Sequence, residues 1–163
     1  VLIGCCRGSP RGRRDDAAKR KKQTSRMNIS SRCEYACRAI IELALNEGSD
    51  QPVAAPAIAE KRNIPGKYLV HILIQLKRAG LVRSVRGAQG GYMLCRPAED
   101  INLMDIVEAI DGPILDPLPI GDNAGKDLEP AWKDAAEEIE KVLRSYRVRD
   151  IIDNASQANM YYI

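Results

Sequence analysis

The stretch LVRSVRGAQGGYMLCRP, residues 81–97, constrains this chain more than any other. Two short alternating runs flank a turn that holds three glycines and no acidic residue. Alternation of that kind is the period of a half-buried strand, and glycines supply the positive backbone angles that a tight hairpin turn needs. Directly before it lies IPGKYLVHILIQLKRAG, which starts near Pro65 and stops at Gly80. There Leu69, Ile72, Leu73 and Leu76 form an apolar stripe at helical spacing, and Tyr68, His71, Gln75 and Arg78 line a second face. One more helical segment, beginning at Pro56, precedes it across only KRNIP. A proline suits a helix's first turn, where its missing N–H has no partner. Two helices joined by so short a turn read as a helix-turn-helix, and the hairpin that follows makes it a winged helix.

The flanking segments are helical as well. In SSRCEYACRAIIELALNEG, Cys37, Ile40, Ile41, Ala44 and Leu45 recur every three or four residues, which predicts a first helix over roughly residues 31–46. Ser31 with Glu34 has the form of a capping box, and Gly48 closes the helix. After Pro97, INLMDIVEAID predicts a further helix and GPILDPLPIGDNAGKD an irregular linker. LEPAWKDAAEEIEKVLRSYRVRDII reads as one long helix, with Leu128, Trp132, Ala135, Ile139, Val142 and Tyr146 close to a 3.5-residue repeat. Such a stripe either lies on its own domain or pairs with the same helix of a second subunit. Pairing is the sharper expectation, because the winged-helix portion offers little apolar surface for a stripe this long. The expected fold is therefore mainly α with a small β-hairpin: a winged helix-turn-helix over residues 27–97, linker and dimerisation helices over 98–153, and a tail over 154–163.

Charge is divided sharply along the chain. Residues 1–26 hold nine basic and two acidic side chains; they are expected to be disordered and to precede a natural start at Met27. Residues 61–98 carry eight basic and no acidic side chains, whereas residues 99–163 carry six basic and fifteen acidic. A polyanion would meet one local segment, and the acidic remainder would limit indiscriminate binding. No apolar run approaches the eighteen or so residues that cross a bilayer, so a cytoplasmic protein without membrane contact is expected. Five cysteines, an odd number without CxxC spacing, do not form a disulfide framework, which agrees with a reducing compartment.

The segments MNISSRCEYACRAIIELALN, IAEKRNIPGKYLVHILIQLKRAGLVRSVRGAQGGYML and INLMDIVEAIDGP resemble, in order and spacing, the IscR-like bacterial transcription regulators, also called the Rrf-two family. The resemblance spans nearly all of residues 27–153. It implies a homodimer, with repression the expected outcome, whose recognition helices enter major grooves of a double-stranded DNA operator while the wings reach minor grooves. Carried onto this chain, it places Lys67, Tyr68 and His71 at the exposed start of the recognition helix, Arg86 at the wing position for the minor groove, and Arg32 near phosphate. Gln75, Arg83 and Gly90 complete the expected DNA-contacting set, and Leu128, Trp132, Ala135, Ile139, Val142 and Tyr146 the dimer interface. Lys and Arg neutralise phosphates and release counterions, and an arginine in a narrow minor groove meets enhanced negative potential.

Two departures matter. Many members carry a glutamate followed by a glutamine where this chain has Val70 and His71, so their operator preference does not transfer. Many also hold an iron-sulfur cluster through three cysteines before the long helix; residues 112–127 here contain no Cys and no His. No cluster, other cofactor or metal is expected. Cys33 and Cys37, one helical turn apart around Glu34, and Cys95 at the end of the wing are expected to pack as small hydrophobes; a thiol- or metal-responsive sensor using them is the alternative, and a protein-protein adaptor with acidic dimer half is another. His71 is the sole histidine. GAQGG precedes a strand and lacks the Lys-Ser/Thr continuation of a phosphate loop. With no nucleophile, base and orienting group in evidence, no catalytic residue and no enzyme is expected.

Overall fold

The computed structural model describes residues 29–49, 51–87, 89–115 and 126–160. The basic extension 1–26 and part of the irregular linker, residues 116–125, lie outside the described residues. The described elements run α1 (Ser31–Leu45), α2 (Ala55–Arg62), α3 (Gly66–Arg78), β1 (Val82–Val85), β2 (Gly91–Leu94), α4 (Leu103–Ile110), α5 (Glu129–Ser145) and α6 (Val148–Met160). It is a mostly helical chain with one antiparallel hairpin, as its sequence pattern predicts.

Helix α1 starts differently from the expected capping box. Ser30, one residue earlier than Ser31, is the N-cap, and its hydroxyl accepts from the Cys33 N–H at 3.0 Å. Glu34 therefore falls past the reciprocal position and pairs with Arg38 at 2.9 Å. The buried face is also rotated: Cys33, Ala36, Ile40 and Leu43 enter the core, while Leu45 is exposed. One buried carboxylate sits on this helix. Glu42 takes hydrogen bonds from Lys61 at 3.0 Å and Arg62 at 2.9 Å, joining α1 to the end of α2. Burial pushes its carboxyl up, but the bonds from the two cations outweigh that and hold it below its ordinary value.

The α2–α3 turn is tight because Asn63 adopts the left-handed conformation, φ 51° and ψ 53°, one that asparagine tolerates better than most residues. Ile64 is then buried and Pro65 caps α3. Leu69, Ile72, Leu73 and Leu76 are buried as the apolar stripe predicts. They meet Ile40 and Leu43 of α1 and Ile58 of α2 in one core cluster.

That cluster continues across the expected boundary at residues 97 and 98: Ala98, Ile101, Ile106, Ile110, Val148 and Ile152 belong to it. Helix α4 begins with a capping box formed by Asn102 and Asp105. The long helix expected from residue 128 through VRDII is in fact two. Its run stops at Ser145, and Tyr146 turns extended at φ −89° and ψ 105°. The break has a cause, because the Tyr146 carbonyl accepts from Leu103 N–H at 3.1 Å and Val148 N–H donates to the Ile101 carbonyl at 2.9 Å. This short bridge redirects the chain so that Val148 and Ile152 reach the core. Helix α6 also continues past residue 153 into the segment expected as a tail.

The hairpin is held from behind. Val53, in the segment between α1 and α2, pairs with Tyr92 through two backbone hydrogen bonds of 3.0 and 2.9 Å. A Cβ at Gly91 would land on the Val53 backbone, so glycine is what allows this third segment to approach.

Candidate nucleic-acid interface

Helix α3 and the wing are joined by hydrogen bonds. The Leu81 N–H donates to the Leu76 carbonyl at 3.0 Å, and Lys77 Nζ donates to Ser84 Oγ at 2.6 Å, so the end of α3 is tied to β1. Val82 pairs with Leu94, Arg83 with Met93, Ser84 with Tyr92 and Val85 with Gly91. Arg86 follows β1 directly and is exposed. Gly87, at φ 121°, makes the turn, and the Gly90 N–H donates to the Gly87 carbonyl at 3.0 Å. Gly90 is thus placed at the neck of the wing.

At 100° per residue, the side of α3 opposite its buried stripe is formed by Lys67, His71, Ile74 and Arg78, with Val70 and Gln75 beside them. All but Gln75 are exposed, and Gln75 is half-buried. Tyr68 is exposed and its ring centroid lies 6.4 Å from that of Tyr35 on α1, above which Arg38 sits at 5.7 Å. This tilted ring pair lies between the start of α3 and α1.

Arg32 and Gln75 occupy the same surface but engage each other. The Arg32 guanidinium donates to Gln75 Oε1 at 3.0 Å and to the Ile110 carbonyl at 3.1 Å, linking α1, α3 and the end of α4. That bond uses the oxygen that bidentate recognition of adenine by glutamine requires. Sequence spacing, which compares residues along one helix, carries no signal for this contact between three.

The basic side chains of residues 61–98 fall into two groups. Lys61 and Arg62 are committed to Glu42, and Arg96 to Asp105 at 2.8 Å. Lys67, Lys77, Arg78, Arg83 and Arg86 form no ion pair among the described residues, and all are exposed. Within residues 61–98, the cations without an ion pair among the described residues all lie on α3 and the wing.

The interface-predicted residues of α5 are equally distinct. Nothing on α5 is buried; Leu128, Trp132, Val142 and Tyr146 are exposed, and Ala135 and Ile139 are half-buried. Arg144 joins the helix to Glu108 of α4 at 3.6 Å.

A family model described as an iron-dependent transcriptional regulator, Rrf2, matches residues 29–154. The chain belongs to the Rrf2 family. It is 32% identical over 140 residues to the HTH-type transcriptional regulator CymR of Bacillus subtilis, covering 84% of this chain and 100% of that one. It is 31% identical over 138 residues to the HTH-type transcriptional regulator IscR of Cereibacter sphaeroides, covering 78% and 88%. Among solved structures, T. potens IscR superposes with a TM-score of 0.66 at 33% identity, covering 83% of this chain and 97% of that one. CymR of B. subtilis, described as its global cysteine regulator, superposes at 0.67 with 31% identity, covering 79% and 98%. This Rrf2-family chain is a winged-helix, DNA-binding transcriptional regulator.

The family description names iron. Among the described residues no three His, Cys, Asp or Glu side chains gather where a metal could sit, and residues 112–127 supply neither Cys nor His. Cys33 is fully buried and Cys37 half-buried. Their mutual hydrogen bond, then burial, pushes the Cys33 thiol far above its ordinary range; the same bond outweighs burial and lowers Cys37. Cys95 is exposed. No described helix is long and apolar enough to cross a membrane.

Proposed function

We propose that this protein is a homodimeric, sequence-specific repressor that works without an iron-sulfur cluster, with α3 in the major groove and Arg86 of the wing in an adjacent minor groove. The observation that carries the reading is the segregation of cations. A stretch of protein that pairs its arginines and lysines with carboxylates has little left for phosphate; here five cations on two linked elements lack such partners among the described residues while neighbouring ones are paired. Phosphate contacts would set register and affinity, and base-edge contacts from α3 would set sequence. Helix α5, whose apolar stripe is exposed at Leu128, Trp132, Val142 and Tyr146, supplies the dimer contact and so places two copies of α3 on one face of the duplex. Occupying an operator is the whole of the activity: the protein is no enzyme and acts in the cytoplasm, where its DNA is.

The test is binding of the full chain to duplexes from upstream of its own gene, followed by fluorescence anisotropy at several salt concentrations. A specific duplex bound at least about a thousandfold tighter than random DNA, with a steep salt slope, is expected. Equal, salt-insensitive binding to every duplex contradicts the proposal.

A further inference from the structure

The outward side of α3 carries two side chains that contact with phosphate does not require. Val70 is 49% exposed and Ile74 is 40% exposed. A single exposed aliphatic residue needs no explanation. These two, however, stand one helical turn apart among Lys67, His71 and Arg78, on the surface that holds the unpaired cations. Both are β-branched and stiff at χ1, so they lose little freedom when they are covered. In the major groove, the apolar feature that distinguishes one base pair from another is the C5-methyl of thymine.

We propose that Val70 and Ile74 are specificity-determining residues that read thymine methyl groups in the operator. The inference rests on the DNA-binding reading above and deepens it. Side chains four apart on a helix stand about 6 Å from each other, close to two base-pair steps of roughly 3.4 Å each. Each half-site therefore requires two thymines about two steps apart.

Deoxyuridine tests this without altering a hydrogen bond, since it is thymidine lacking the methyl. The full chain is first used to select its preferred duplex from a randomised pool, and each thymine of that duplex is then replaced singly by deoxyuridine. At two positions of a half-site the replacement weakens binding about fourfold, the loss expected for one buried methyl. Val70→Ala binds the thymine and deoxyuridine duplexes equally at one of these positions, and Ile74→Ala does so at the other. Far-ultraviolet circular dichroism and the melting temperature of each variant establish that it is folded. Uniform indifference to deoxyuridine overturns the proposal, as does an undiminished methyl effect in both variants; either result, with specific and salt-dependent binding intact, leaves the functional reading standing. Failure to bind any duplex overturns both.

Discussion

Replacing Trp132 by alanine is expected to break the dimer while leaving the protomer folded. Trp132 is 49% exposed on a helix with no buried residue. A buried aromatic side chain covers about 200 Å², so pairing of two α5 helices removes roughly 100 Å² of this tryptophan from water. At about 25 cal/mol per Å² that is close to 2.5 kcal/mol per protomer, or about 5 kcal/mol for the two copies of a two-fold interface. With tenfold in Kd for each 1.4 kcal/mol or so, the dimer weakens by about 10³ to 10⁴. Sedimentation equilibrium over a range of concentrations reads this directly. The parent is expected to remain dimeric at concentrations where the variant is monomeric, with the helical signal of the variant unchanged. An unchanged dimerisation constant refutes the argument, because it requires that the α5 stripe face something else.

Arg86→Ala is expected to cost about 1 to 3 kcal/mol of specific binding through its lost groove contact, measured by titration on the operator; an unaltered affinity removes the wing from the interface. Lys67→Ala should weaken binding evenly across sequences and reduce the salt slope by about one, and an unchanged slope argues against its phosphate role. Glu42→Gln is expected to cost about 1 to 3 kcal/mol in urea unfolding at neutral pH, by loss of charge-assisted bonds from Lys61 and Arg62. Because the folded carboxyl of Glu42 lies below its ordinary value, its contribution is complete above an unfolded pKa of about 4.3 and disappears as pH falls through the lower folded value. The parent should therefore lose stability over that acid range more steeply than the variant, and parallel pH curves contradict this. Gly91→Ala forces a Cβ onto the Val53 backbone and is expected to cost about 1 to 3 kcal/mol, as overpacking does; an unchanged thermal midpoint would show that the bridge yields freely.

The winged-helix portion was legible because its signals are local. The spacing of Leu69, Ile72, Leu73 and Leu76 specifies the buried stripe of α3, and the glycines between the alternating runs specify the wing. What periodicity missed depends on contacts between distant segments. Val53 becomes a strand partner only because Gly91 leaves room beside Tyr92. The apolar repeat runs on unbroken through Tyr146, yet the hydrogen bond that the Tyr146 carbonyl accepts from Leu103 N–H and the one that Val148 N–H donates to the Ile101 carbonyl divide the helix there. At α1, Ser30 and Ser31 are both capable caps, and Ser30 takes the role with a hydroxyl that also donates to Asp111 at the end of α4 at 2.7 Å, a contact from far along the chain. The site shows the same division: the exposure of Lys67, His71 and Arg86 follows from their positions on α3 and the wing, whereas the mutual engagement of Arg32 and Gln75 needs α1 and α4 in place.

The central claim is that two copies of α3, held by paired α5 helices, read one operator. A hydroxyl-radical footprint of the dimeric protein on its selected duplex tests it most directly. The account predicts two protected half-sites related by a two-fold axis, their centres one helical turn or about 34 Å apart or a whole multiple of it. A single protected half-site, or protection without two-fold symmetry, would contradict it.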